Sequence, residues 1–251
     1  MSKGPELRKA GILLFWVVMW QIADWTIDNA IVFVGPWDVA RSFFALVPTG
    51  AFWLSVGGSL GKISLGFSAA FAFGVVAGGL AYRFGVLREF LAPVILLMKS
   101  VPVASFVILA LIWAGSKNLA TLISFLVVFP VLYVNTIAGL ESADKKLLEM
   151  AQVFSVGPAG KLRCIFVPSL LPYLISGCRV ALGMGWKSGI AAEVIGVPSH
   201  TIGEHLYMAK IYLSTADLFA WTLVIILASG FFEKIFLLFL EKGARWCFRF
   251  S

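Results

Sequence analysis

Charge is what this sequence has least of: 13% of its 251 residues are Asp, Glu, Lys or Arg, against 60% hydrophobic. It holds no polar stretch long enough for a separate soluble domain, which assigns the chain to a bilayer. Histidine and cysteine are scarcer still. His200 and His205 follow Pro198 five residues apart, so they do not share a helical face as an i, i+4 metal pair would, and they read as part of a solvated outer loop. Cys164, Cys178 and Cys247 show neither CxxC nor Cys/His spacing. Their odd number argues against a disulfide framework and against zinc, leaving them as small packing residues. The absence of HExxH and of a nucleophile–base pair on one face sets a membrane enzyme aside. The segment GGSLGK ending at Lys62 is one residue too short between its glycines for a phosphate loop, and Ile63 stands where Ser or Thr is required. No nucleotide site is legible in the chain.

What is present is a series of apolar runs, each near the roughly 20 residues that cross a hydrocarbon core about 30 Å thick. They predict an all-α integral membrane protein, residues 1–251 forming a single transmembrane domain, with about six spans at 10–27, 59–82, 90–114, 119–140, 171–195 and 217–240. The first run is bulky and aromatic with no small-x-small cleavage site after it, so it reads as a retained span. With the N-terminus in the cytoplasm, twelve basic residues fall in the inner segments: Lys3, Arg8, Lys9, Arg83, Arg88, Lys145, Lys146, Lys161, Arg163, Lys242, Arg245 and Arg249. Only Arg41, Lys117 and Lys210 fall outside, so both termini are expected in the cytoplasm. The net charge of +7 is then topology and attraction to anionic lipid, with no reason to invoke nucleic acid. Gly61, Gly66, Gly74, Gly78 and Gly79 read as close-approach positions between helices. The outer segment 29–58, with Trp37 and Trp53, reads as interfacial. A segment at 197–215 lies on the same outer side.

Between the fourth and fifth spans lies a polar, basic segment, about 141–170. Leu147, Leu148, Ala151 and Phe154 recur at helical spacing with Lys145, Lys146, Glu149 and Gln152 left to solvent, which predicts a short amphipathic helix stopped by Gly157 and Pro158. Such a helix either lies on the membrane surface or is held by a partner and acts as a lever on the flanking spans. In the fifth span, Arg179, Gly183, Trp186, Ile190 and Glu193 fall in one narrow stripe at 100° per residue, with Lys187 at its edge. A charge there costs about 2.5 to 3.5 kcal/mol against lipid, so the stripe is expected to face protein or water. Snorkelling of Arg179 and local pairing of Glu193 is the alternative. Lys187 lies nearest the middle of the span.

Glu149, Ala151, Ile165, Val167, Pro168 and Pro172 resemble the EAA loop of the permease subunits of binding-protein-dependent ABC importers: EAA, three variable residues, Gly, nine more, then I-x-L-P. The flanking LMKSVPVASFVILALIWAG and GCRVALGMGWKSGIAAEVIG resemble the sulfonate, nitrate, taurine and bicarbonate branch. Met150 stands for the second Ala, Ser155 for the Gly and Val167 for the Leu. The resemblance implies a type I importer permease fold with a cytoplasmic coupling helix, in a bacterial cell membrane. It implies coupling through Glu149, Ala151, Ser155, Gly157 and Pro168, and a translocation pathway or subunit interface at Arg179, Gly183, Trp186, Lys187 and Glu193. Its implied partners are two ATPase subunits, which would carry the ATP and Mg, a second permease copy and an external solute-binding protein. This chain itself then needs no cofactor and is no enzyme. The implied cargo is a small anion such as a sulfonate, taurine or nitrate, with a heterocyclic vitamin precursor of thiamine or riboflavin type as the alternative. An ion-gradient-driven secondary transporter is a third reading. Against it, the chain shows no six-span internal repeat, and Glu193 is the only carboxylate well inside the fifth span.

Overall fold

The computed structural model describes residues 4–249 of the backbone and, for side chains, residues 8–242. Lys3 and the side chains of Arg245, Cys247 and Arg249 lie outside the described residues. The elements run α1 (Gly4–Ile27), α2 (Pro36–Leu46), α3 (Gly50–Arg83), α4 (Gly85–Ser100), α5 (Val103–Glu141), α6 (Lys145–Val153), α7 (Pro158–Lys161), a π-helical turn (Leu162–Phe166), α8 (Val167–Gly196), α9 (Ile202–Ile211) and α10 (Thr215–Arg249). Local chemistry sets several starts: Pro36 opens α2, and the side chains of Thr49, Asp144 and Thr201 accept backbone N–H bonds from the first turns of α3, α6 and α9. The two short helices α2 and α9 fall in the segments read from sequence as outer loops.

The third expected span, 90–114, is not one helix. Pro102 has no N–H to donate and disfavours a helical conformation at Val101, which sits at φ −79°, ψ 131°, so the helix stops at Ser100 and a new one starts at Val103. α5 is in turn a hairpin. Gly115 takes φ 68°, ψ 170°, a backbone shape that glycine adopts without penalty, and Val107 and Ala110 of the first arm pack on Leu119 and Ile123 of the second. Among the described residues, five continuous helical stretches are long and apolar enough to cross a membrane, Val103–Glu141 counted as one. With that stretch folded on itself and its first arm continuing α4, the chain makes a multi-pass bundle of about the expected number of crossings.

The second arm of α5 is the central post, flanked by α3 and α8. Phe67, Ala70, Val128, Leu132, Cys178, Ala181 and Leu182 form its middle core. Small residues permit this approach: a Cβ on Gly66 would stand 2.3 Å from the Thr121 carbonyl oxygen, and one on Gly185 would stand 2.7 Å from Val128 Cγ2. Gly74 and Gly78 are similarly crowded, whereas Gly61 and Gly79 face open space, so only part of the expected glycine set serves close approach. α1 lies outside this core, none of its described side chains buried, tied by a 2.9 Å bond from Trp20 Nε1 to the Val34 carbonyl.

Candidate functional site: a polar loop and a charged helix face

The α6 segment is anchored on one side only. Ala151 packs with Ala143 and Ile165, with Leu148 and Phe166 beside them, while Glu149 is exposed. Met150, Val153 and Phe154 are 51%, 80% and 73% exposed. The apolar face expected from the sequence is therefore split: Leu148 and Ala151 turn to the bundle, and Leu147 and Phe154 turn away. The stop also differs from the expected one. The helix ends at Val153, and Ser155 adopts the left-handed φ of 53°, with Val156 N–H donating to the Ala151 carbonyl at 2.8 Å and Ser155 N–H to that of Gln152 at 3.1 Å. This is a complete Schellman closure. Gly157 keeps an ordinary φ of −64° and opens α7, so Ser155 alone carries the backbone role that the motif gives to Gly.

From α7 the backbone runs on without a break in helical structure. Val167 N–H reaches back to the Leu162 carbonyl in the wide π geometry, and the next residue, Pro168, has no N–H to offer Cys164, a combination that lets the helix change pitch there. The arrangement makes 158–196 one mechanical unit, with the Ala151 contact at its foot.

On α8 the predicted stripe divides. Arg179, Gly183 and Lys187, spaced four apart, are exposed, while Trp186 and Glu193 are buried. Trp186 sits in the core cluster with Phe52, Ile63 and Trp221. Beside Arg179 opens a concavity of about 570 Å³ lined by Leu171, Pro172, Ile175, Ser176 and Val180. Neither Arg179 nor Lys187 is ion-paired, in contrast to Arg88, which pairs with Glu141.

Glu193 has a structural partner set that the sequence did not disclose. Ser59 Oγ donates to its Oε2 at 2.6 Å and Gly203 N–H at 3.1 Å, so the carboxylate ties α8 to α3 and to the start of α9. His205 is not in a solvated loop. It lies on α9, stacked on Trp221 at 4.4 Å and 9°, with its Nε2 2.9 Å from Ser55 Oγ. Among the described residues no group of three His, Cys, Asp or Glu side chains is placed to hold a metal.

Residues 70–245 match the family described as binding-protein-dependent transport system inner membrane component. The chain belongs to this family. The permease is similar to the taurine transport system permease protein of Escherichia coli (strain K12), 25% identical over 93% of this chain and 86% of that one. It is also similar to the riboflavin transport system permease protein of Chloroflexus aurantiacus, 24% identical over 92% and 89%. The bicarbonate transport system permease protein of Synechocystis is 29% identical over 58% of this chain and 52% of its own length. The permease is thus an all-α, multi-pass ABC importer subunit of the type I architecture. Sequence reasoning also missed the helix break at 100–102. Its signal was Pro102 inside an apolar run.

Proposed function

We propose that this chain is the membrane-spanning subunit of an ATP-driven importer, with α6 as its coupling helix and two copies flanking a shared translocation path. The observation that carries the reading is α6 itself. Its bundle side is fixed by Ala151 while Leu147, Met150 and Phe154 form an uncovered apolar ridge at i, i+3, i+7, suited to the groove of a separate ATPase subunit. The excess of basic residues on the α6 side supports a cytoplasmic location for this helix and for both termini. An external solute-binding protein would deliver the cargo at the opposite end. Glu149 lies exposed in the middle of the ridge segment, and Ser155 and Pro168 set the geometry by which a partner's movement passes through 158–166 into α8.

The exposed, unpaired Arg179 and Lys187 support an anionic cargo, in keeping with the cargoes for which the taurine and bicarbonate relatives are named. The riboflavin relative supports the heterocyclic alternative. Co-expression with the neighbouring ATPase gene, followed by affinity capture, tests the coupling role. Capture in a two-to-two ratio, lost in Glu149→Arg, is the expected result, and a chain that purifies alone and transports without ATP refutes it. Uptake of taurine, nitrate or riboflavin into proteoliposomes separates the cargo classes. Lys187→Met is expected to reduce anion uptake without loss of assembly, and unchanged uptake removes Lys187 from the path.

A further inference from the structure

Between α4 and the second arm of α5 lies a concavity of about 350 Å³. Arg88 and Lys99 line it from α4 and Tyr133 and Glu141 from α5, with Ala92 and Val134 among the apolar residues between them. Arg88 pairs with Glu141 at its foot, and above this pair Ile95 packs on Tyr133 and Ile137. Lys99, one turn beyond Ile95, is exposed and makes no ion pair. Because the Cα–Cβ bonds of a helix lean toward its N-terminus, the Lys99 side chain is carried back toward the level of Tyr133.

Arg88 and Glu141 cancel, so Lys99 leaves the concavity with one positive charge that no side chain in its lining balances. The lysine backbone stands about 16 Å along α4 from Arg88 at 1.5 Å per residue, and an ammonium group that far inside a span faces protein or water, or holds an anion. Tyr133 carries a second unsatisfied group. Its side chain is 4% exposed, wedged among Ala81, Ile95 and Ile137, yet its hydroxyl has no hydrogen-bond partner. A buried tyrosine usually finds a partner for its O–H, and a phenylalanine would fill the same space without stranding a donor. A free donor and an uncompensated cation thus stand on the two walls of one concavity.

We infer that this concavity is an oxoanion-binding site, in which Lys99 supplies the charge and the Tyr133 hydroxyl a donor to a sulfonate, carboxylate or phosphodiester group. The Arg88–Glu141 pair is already satisfied and adds no net charge, so a single negative charge balances the site, and donors to an ionised acceptor make the stronger hydrogen bonds. The same chemistry comes from two sources, a small anionic solute or the headgroup of an anionic phospholipid, since basic pockets between membrane helices on the cytoplasmic side take such headgroups. The inference stands on this concavity and not on the coupling role proposed for α6, so either can fail without the other.

The test uses the full chain in an uncharged maltoside, with Cys164, Cys178 and Cys247 replaced by Ala and one cysteine introduced on the exposed lining as Ala92→Cys. Its labelling by methanethiosulfonates bearing a sulfonate or a trimethylammonium group is timed, each rate divided by that of free cysteine. The expected result is a preference of about tenfold for the sulfonate reagent, lost in Lys99→Gln and kept in Tyr133→Phe. Ethanesulfonate is expected to protect the cysteine, with the half-protecting concentration raised about tenfold in Tyr133→Phe. Phosphatidylglycerol added to the micelles distinguishes the sources: protection by it that is lost in Lys99→Gln assigns the site to a lipid headgroup, and protection by ethanesulfonate alone assigns it to a solute. Equal normalised rates, a preference that survives Lys99→Gln, or protection by neither anion overturns the site. Half-protection unchanged in Tyr133→Phe overturns the part given to the hydroxyl.

Discussion

Ser59 Oγ donates to Glu193 Oε2 at 2.6 Å and accepts Ile202 N–H at 2.8 Å, so one hydroxyl joins α3, α8 and the first turn of α9. Glu193 is fully buried, and its second oxygen has no partner. Ser59→Ala leaves the Ile202 N–H without this acceptor and the carboxylate with the Gly203 N–H alone. It is expected to cost about 1–3 kcal/mol, read as a lowered Tm of the purified permease. Glu193→Gln keeps an acceptor for Ser59 and Gly203 and is expected to lose less than Glu193→Ala. Equal losses would show that the hydrogen bonds contribute nothing beyond the side chain's volume.

Ser155 holds a left-handed φ of 53° at the end of α6, a position in which a side chain costs about 1 kcal/mol or more. Ser155→Gly is expected to raise thermal stability by about that amount, and Ser155→Ile to lower it. A Gly variant no more stable than the parent would mean that the serine hydroxyl compensates for the strain.

Gly66 and Gly61 lie on one helix and should respond in opposite ways. A Cβ at Gly66 would meet the Thr121 carbonyl at 2.3 Å, while Gly61 has nothing within 4 Å. Gly66→Ala is therefore expected to destabilise the α3–α5 contact by about 1–3 kcal/mol, and Gly61→Ala to be neutral or slightly stabilising. Thermal unfolding of the two variants side by side decides it.

Burial between Ser55 and Trp221 pushes the His205 imidazole below its ordinary value of about 6.5. Glu204 acts against this and His200 with it. The folded state prefers the neutral ring, so this contribution is complete above about pH 6.5 and is lost as pH falls below that towards the depressed folded value. The Tm is expected to drop between pH 7 and 5 by less in His205→Phe, which keeps the stack and cannot take a proton, than in the parent. Parallel pH profiles would remove His205 from the acid response.

Much of the site was readable where chemistry is local. The spacing of Leu148 and Ala151 already marked α6 as a helix with a packing side. The split of that helix into a bundle side and an uncovered ridge was not readable, because Leu147 and Phe154 are as apolar as Leu148, and only the position of Ile165 and Ala143 selects which of them is covered. On α8, 100° periodicity brought Arg179, Trp186 and Glu193 into one stripe, yet neighbours at different depths bury two of them and leave the first exposed.

The sequence by itself determined the membrane residence, the all-helical class and the sidedness bias, because hydropathy, helix length and charge distribution act on each segment separately. Only the tertiary structure decided which side of α6 is covered and that Ser59 is the partner of Glu193. Those outcomes depend on contacts between residues as far as 134 positions apart, whose pairing no local pattern encodes.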